Sequence, residues 1–145
     1  MQPKEFSNLY LDLAKEILSN LTFDQSSKDS NDQLLFLVCV EKSLSHLADD
    51  IFSAFDHELG SIEILNLKFK WVELSKTPAL KNIISRELSS EGLINKIEIS
   101  KSIIFKKEDS NLITSSEIND LKKFTLILDK YKAFSELLRK VLDEC

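Results

Sequence analysis

The sequence predicts a mainly α-helical bundle of five to six helices, with a small β-hairpin at about 97–114. Three observations carry this reading. Only two Gly and two Pro occur in 145 residues, and sheet-rich chains need both for their turns. Apolar residues recur at steps of three and four along most of the chain, the period of a helix that buries one face. Helix-start signatures stand before several of these stretches. With 43% hydrophobic and 30% charged residues, the composition is that of a globular chain rather than a disordered one, and the length suits one domain.

The first helix is expected from about Lys4 to Asn20. Pro3 suits its first turn, and Phe6, Leu9, Leu13, Ile17 and Leu21 make one buried stripe. A polar loop, Thr22 to Ser30, follows. Ser30 with Gln33 reads as a capping box that opens a second helix. Its stripe is Leu37, Val40, Leu44, Leu47, Ile51, Phe55 and Leu59, and Gly60 stops it. The run Leu34 to Val40 is apolar all round, which belongs at the centre of a bundle or in an interface.

The stretch Ile62 to Leu74 fits a strand by its alternation and a helix by two overlapping stripes. Gly60 and Ser61, a stop and a cap, favour the helix. Thr77-Pro78 reads as an N-cap with Pro at the first helical position. The helix after it uses Leu80, Ile83, Ile84 and Leu88 and ends near Gly92. Ile97, Ile99, Ile103 and Phe105 alternate with polar residues, 107–111 looks like a turn, and Leu112 to Thr114 returns: the expected hairpin. A second capping box, Thr114 with Glu117, opens a last helix over Ser115 to Glu144, with Leu121, Phe124, Leu128, Tyr131, Leu138 and Val141 on its apolar face.

Composition narrows the function classes. The longest apolar run has seven residues, against about 20 needed to cross a bilayer. The first residues lack a signal-peptide pattern, and Cys39 and Cys145 make no disulfide framework, so a cytoplasmic location is expected. Net charge is −5, unevenly spread. Residues 1–60 hold four Lys/Arg against eleven Asp/Glu, 61–107 nine against five, and 108–145 six against eight. An acidic whole argues against indiscriminate nucleic-acid binding, while the basic middle leaves room for a local basic face.

Catalytic constellations are not evident. There is no Gly-rich phosphate loop, nucleophile elbow or CxxC. His46 and His57 would lie about 16 Å apart on one helix, too far for one metal. His46 with Asp49 or Asp50 supplies only two ligands. His57-Glu58-Leu59 resembles the phospho-accepting box of histidine kinases, without the Arg and Pro that follow there. That makes histidine phosphotransfer through His57 a remote alternative. No enzyme activity, cofactor, metal site or small-molecule substrate is expected.

Residues 75–107 resemble the end of a winged-helix domain, on Leu88-Ser89-Ser90-Glu91-Gly92-Leu93-Ile94-Asn95-Lys96. Leu88 would pack the recognition helix on the core, Gly92 would allow a left-handed turn, and Leu93-Ile94 would return to the core. Two departures stand out: Lys81 occupies a position where many such helices are apolar, and the wing carries no Arg. The resemblance divides the chain into a helical part (1–60), a winged-helix-like part (61–114) and a long C-terminal helix (115–145). Two uses follow from it. In regulators similar to the multiple-antibiotic-resistance family, Lys76, Lys81, Asn82, Arg86, Lys96, Lys101, Lys106 and Lys107 would meet duplex DNA. In assembly subunits similar to those of the proteasome lid and signalosome, the same fold binds other proteins. The expected function is a non-catalytic interaction module working with a protein partner or a second copy. Its expected surface is Leu34, Leu35, Phe36, Val38, Tyr131 and Phe134, and the alternative is the DNA-binding regulator.

Overall fold

The computed structural model describes residues 1–55, 65–109 and 118–144, the side chains of 107–109 excepted. Within these the chain forms six helices: α1 (Pro3–Asn20), α2 (Ser27–Ala54), α3 (Leu67–Leu74), α4 (Lys81–Leu88), α5 (Leu93–Asp109) and α6 (Leu121–Glu144). The fold is a mainly α-helical bundle, and no strand occurs among the described residues. No described helix is long and apolar enough to cross a membrane.

The core draws on every helix. Phe36, Leu37, Val40, Leu44 and Ile51 of α2 meet Trp71 and Leu74 of α3, Ile84 of α4, Leu93 and Ile97 of α5, and Phe124 and Leu138 of α6. Phe36 stacks on Phe124 with ring centroids 4.6 Å apart, and Trp71 tilts against Phe134 at 5.0 Å. Such aromatic pairs add to what area burial already contributes.

The helix starts differ from expectation in instructive ways. Pro3 does open α1, where the Gln2 amide donates to Glu5 Oε2 at 3.0 Å. The cap of α2 is Ser26, whose hydroxyl accepts from the Asp29 amide at 3.1 Å, not Ser30. Gln33 is buried and donates to Asp29 Oδ2 instead of closing a capping box. Asp29 explains the change. Its carboxylate accepts the amides of Phe23 (2.9 Å) and Gln25 (3.1 Å), which both sit at positive φ, 54° and 66°. A left-handed backbone is costly for such residues, and the buried carboxylate holds the turn in place. The same network runs on to Asn119, which donates to Gln33 Oε1 (3.1 Å) and the Ser100 carbonyl (3.0 Å), tying the entry of α6 to α2 and α5.

Other expectations are corrected by packing. On α1 the buried residues are Ser7 and Ala14, while Leu9 and Leu13 are 44% and 38% exposed. Phe6, Ile17 and Leu21 of the expected stripe are half-buried, Ile17 and Leu21 packed against the core, and the fully buried positions go to the two small side chains. Asn66 caps α3 by accepting from the Phe69 amide; Gly60 and Ser61 lie outside the described residues. Thr77 and Pro78 belong to a turn over 75–80, and α4 begins only at Lys81, after Leu80 donates to the Thr77 carbonyl at 3.0 Å. The described part of α2 ends at Ala54, and α6 is described from Leu121 with 24 residues. The Thr114–Glu117 box, Leu59 and Gly60 lie outside the described residues.

The expected hairpin is the largest correction. Residues 97–109 are the body of one helix, α5; 110–114 lie outside the described residues. The alternation of 97, 99, 103 and 105 is real but does not decide the backbone. Leu93, Ile94, Ile97, Ser100 and Ile104 share a helical face and all are buried, whereas Ile99 and Phe105 are 51% and 49% exposed. Burial of five residues on a 3.6-residue period outweighs the β-preference of three isoleucines. Gly92 has no left-handed role, since no described glycine has positive φ. It is there because a Cβ would run into the Glu87 backbone.

Candidate interaction surfaces

The basic residues expected to form one footprint scatter. Lys96, Lys101 and Lys106 are five apart, and five residues of helix turn through a net of about 140°, so they leave α5 in three directions. A hairpin could have gathered them; a helix cannot. Lys101 is engaged by Glu41 (2.9 Å) and Lys76 by Glu73 (2.7 Å). Lys81, Asn82 and Arg86 remain together on the exposed face of α4. The carboxylate of that helix, Glu87, turns inward and accepts the Leu93 amide at 3.2 Å, so it caps α5 rather than balancing the surface. The Lys107 side chain and His57 lie outside the described residues.

The expected apolar surface also divides. Phe36, Tyr131 and Phe134 are 0%, 3% and 2% exposed. They are core, because the apolar start of α2 is central to the bundle and α6 packs its aromatic face against it. Leu35 is 51% exposed, and Leu34 and Val38 are half-buried.

Tyr131 instead closes a hydroxyl knot between three helices. Ser7 Oγ donates to the Ser43 carbonyl (2.9 Å) and Ser43 Oγ to the Ser7 carbonyl (2.7 Å). Each serine has then used its one proton, so the Tyr131 hydroxyl donates to Ser43 Oγ at 2.6 Å. Burial pushes the Tyr131 phenol above its usual range, with the two serine hydroxyls opposing the shift.

A charged cluster that the spacing of residues did not reveal lies between α2 and α3. Lys70 is 4% exposed. Its ammonium contacts both Asp49 oxygens and Ser45 Oγ, each at 2.9 Å. This buried pair ties α3 to α2. His46 stacks on Phe6 and Tyr10, with centroids 5.0 and 5.7 Å away. Burial depresses its pKa, as do Lys70 and Lys42 more weakly, against the pull of Asp49. Asp49 lies 4.0 Å from His46 Nδ1 but at 2.9 Å from the Lys70 ammonium. Among the described residues no group of three His, Cys, Asp or Glu side chains converges on a metal-sized space.

One surface feature is built differently from the rest. Between α5 and α6 runs a groove of about 290 Å³, lined by Lys96, Ile99, Ser100, Ile103, Lys123, Leu126 and Ile127. The α5 positions follow i, i+3, i+4, i+7 and the α6 positions i, i+3, i+4, so each helix contributes one flank beside its buried face. Ile127 belongs to the core, and Ile99 and Leu126 stand 51% and 44% exposed above it. No family model, curated protein or solved structure matches this chain. The groove is therefore read from its own chemistry. Its volume lies at the lower end of the usual range for ligand pockets. The sequence held its signal in plain view, since Ile99 and Ile103 are apolar at i, i+4 and Leu126 and Ile127 are adjacent. A strand reading of 97–105 hid the first pair.

Proposed function

We propose that this chain is a non-catalytic protein-interaction module that docks a partner in the α5/α6 groove. The observation that carries the reading is the pairing of two exposed branched side chains, Ile99 and Leu126, over a groove continuous with the core. Exposed apolar surface set into a concave site is characteristic of docking. The test is photo-crosslinking in cells that express the protein, with a benzophenone amino acid at position 126 and, as control, at the exposed position 132. A discrete adduct at 126 that is absent at 132 is expected. Equal or absent adducts at both positions would sink the reading.

A second reading, duplex-DNA binding, draws on one observation: Lys81, Asn82 and Arg86 share an exposed face from which the helix's own carboxylate is withdrawn. Its test is anisotropy with mixed-sequence duplex. Micromolar binding that weakens steeply with salt and drops in Lys81→Ala/Arg86→Ala supports it. No binding at low salt removes it.

A further inference from the structure

We infer that the junction of α1, α2 and α3 is an acid-sensitive contact: protonation of His46 sets a second cation beside the Asp49 carboxylate that holds Lys70, and so loosens α3 from α2. The junction is separate from the α5/α6 groove. Three groups that are distant in the sequence pattern meet in it. Lys70 of α3 reaches both Asp49 oxygens and Ser45 Oγ on α2, each at 2.9 Å. Among the described residues this is the most deeply buried ion pair, with side chains 5% and 14% exposed. His46 stands beside the same carboxylate, its Nδ1 4.0 Å from Asp49 Oδ2. From α1, Phe6 and Tyr10 stack on the imidazole with rings nearly parallel, at 22° and 5°, which keeps it at the junction.

One carboxylate cannot fully satisfy two cations where most water is excluded. A neutral imidazole leaves Asp49 to Lys70. A protonated one draws on Asp49 and repels Lys70. The surroundings of His46 reflect this: burial disfavours its charged form, Asp49 opposes that, and Lys70 from α3 and Lys42 from α2 add to it. The faces that α1 turns to it are the Phe6 ring and the Tyr10 phenol ring. Such coupling is reciprocal. Because the Lys70 ammonium disfavours the imidazolium, the imidazolium disfavours Lys70 at Asp49 by the same factor. When α3 opens and Lys70 leaves, His46 takes its proton more readily. Opening is therefore rarest above the ordinary histidine value of 6.5. It grows as pH falls below that value, and it levels off below the depressed folded value.

The chain has one tryptophan and two histidines, which makes the test direct. Trp71 lies next to Lys70 on α3 and is fully buried. Hydrogen exchange of its indole N–H and of the α3 amides, followed by NMR from about pH 7.5 to about pH 5.5 and corrected for intrinsic rates, reports how often α3 opens. Imidazole proton shifts report His46, assigned with His57→Gln. Protection in α3 should fall roughly threefold across this range, with the midpoint of the His46 titration, while α6 amides change little. Lys70→Met should raise the His46 midpoint by roughly half a pH unit, the same factor of about three. His46→Gln, neutral and at a half-buried position, should remove the pH dependence and leave protection at about pH 7.5 unchanged. A flat profile in the wild-type chain overturns the inference, as does a step that survives in His46→Gln or a His46 midpoint unmoved in Lys70→Met. An equal loss of protection in α6 overturns it too, since the acid effect would then be global. Should Lys70→Met fail to fold, the wild-type titrations decide: different midpoints for α3 exchange and for His46 overturn the inference, and a shared one supports it.

Discussion

The α1/α2 seam and the α5/α6 seam solve the same problem in opposite ways. Where α1 meets α2, the residues are small. Ser7 and Ser43 each reach the other helix's carbonyl, at 2.9 and 2.7 Å, which requires the backbones to approach within a side chain's length. Where α5 meets α6, the facing residues are Ile99, Ile103, Leu126 and Ile127, and a groove of about 290 Å³ stays open. Small side chains let helices close and satisfy polar groups internally; branched ones hold helices apart and leave apolar surface. The first seam is closed and the second stays open.

The largest way to break that contrast is to enlarge the tight seam. Ser43→Leu overpacks a fully buried site and removes the nearer of the two serine hydroxyls that contact the Tyr131 hydroxyl, leaving Ser7 Oγ at 3.1 Å. Urea denaturation should show a loss of about 3 kcal/mol, the sum of overpacking and the lost Ser43 hydrogen bonds. Gly92→Ala comes next. The added Cβ meets the Glu87 backbone rather than a flexible side chain, so the α4–α5 turn must shift, at about 2 kcal/mol. It should also change groove binding, because α5 forms one wall.

Tyr131→Phe is milder. Both serine–carbonyl bonds survive, and the loss should be about 1 kcal/mol at neutral pH. It also carries a pH signature. The folded phenol is held above its ordinary value of 10.0. The stability it adds is thus complete below pH 10 and is lost as pH rises through the folded pKa. The wild-type chain should lose stability on that alkaline limb more steeply than Tyr131→Phe. The smallest effect sharpens the comparison: Leu126→Ser should change stability by no more than about 0.5 kcal/mol. A much larger loss would mean that the α5/α6 groove is part of the core.

Helix content, the central place of α2 and the burial of Leu37, Val40, Leu44, Leu47 and Ile51 were legible because helical periodicity acts locally and strongly along α2. The wing was misread for the same local reason. Ile97, Ile99, Ile103 and Phe105 satisfy a strand's period if one ignores Leu93, Ile94, Ser100 and Ile104, which complete a helical face only when the core is in place. The interface residues failed in the opposite direction. Phe36, Tyr131 and Phe134 look like surplus apolar surface along one helix, and only the neighbouring helices show that they are used up. The groove was half legible, since its residues are apolar but their partner across the seam is about twenty-five positions away.

By itself, then, the sequence determined what depends on near neighbours: a helical chain, its main amphipathic faces, Pro3 as a helix start and an uneven charge. Tertiary structure decided everything that depends on which helix faces which. It set Asp29 to holding a left-handed turn, Lys70 to a buried pair with Asp49, and Ser7 and Ser43 to each other's carbonyls. It also left Ile99 and Leu126 uncovered. Those outcomes are set by distances between residues far apart in the chain, and no periodicity within one helix encodes them.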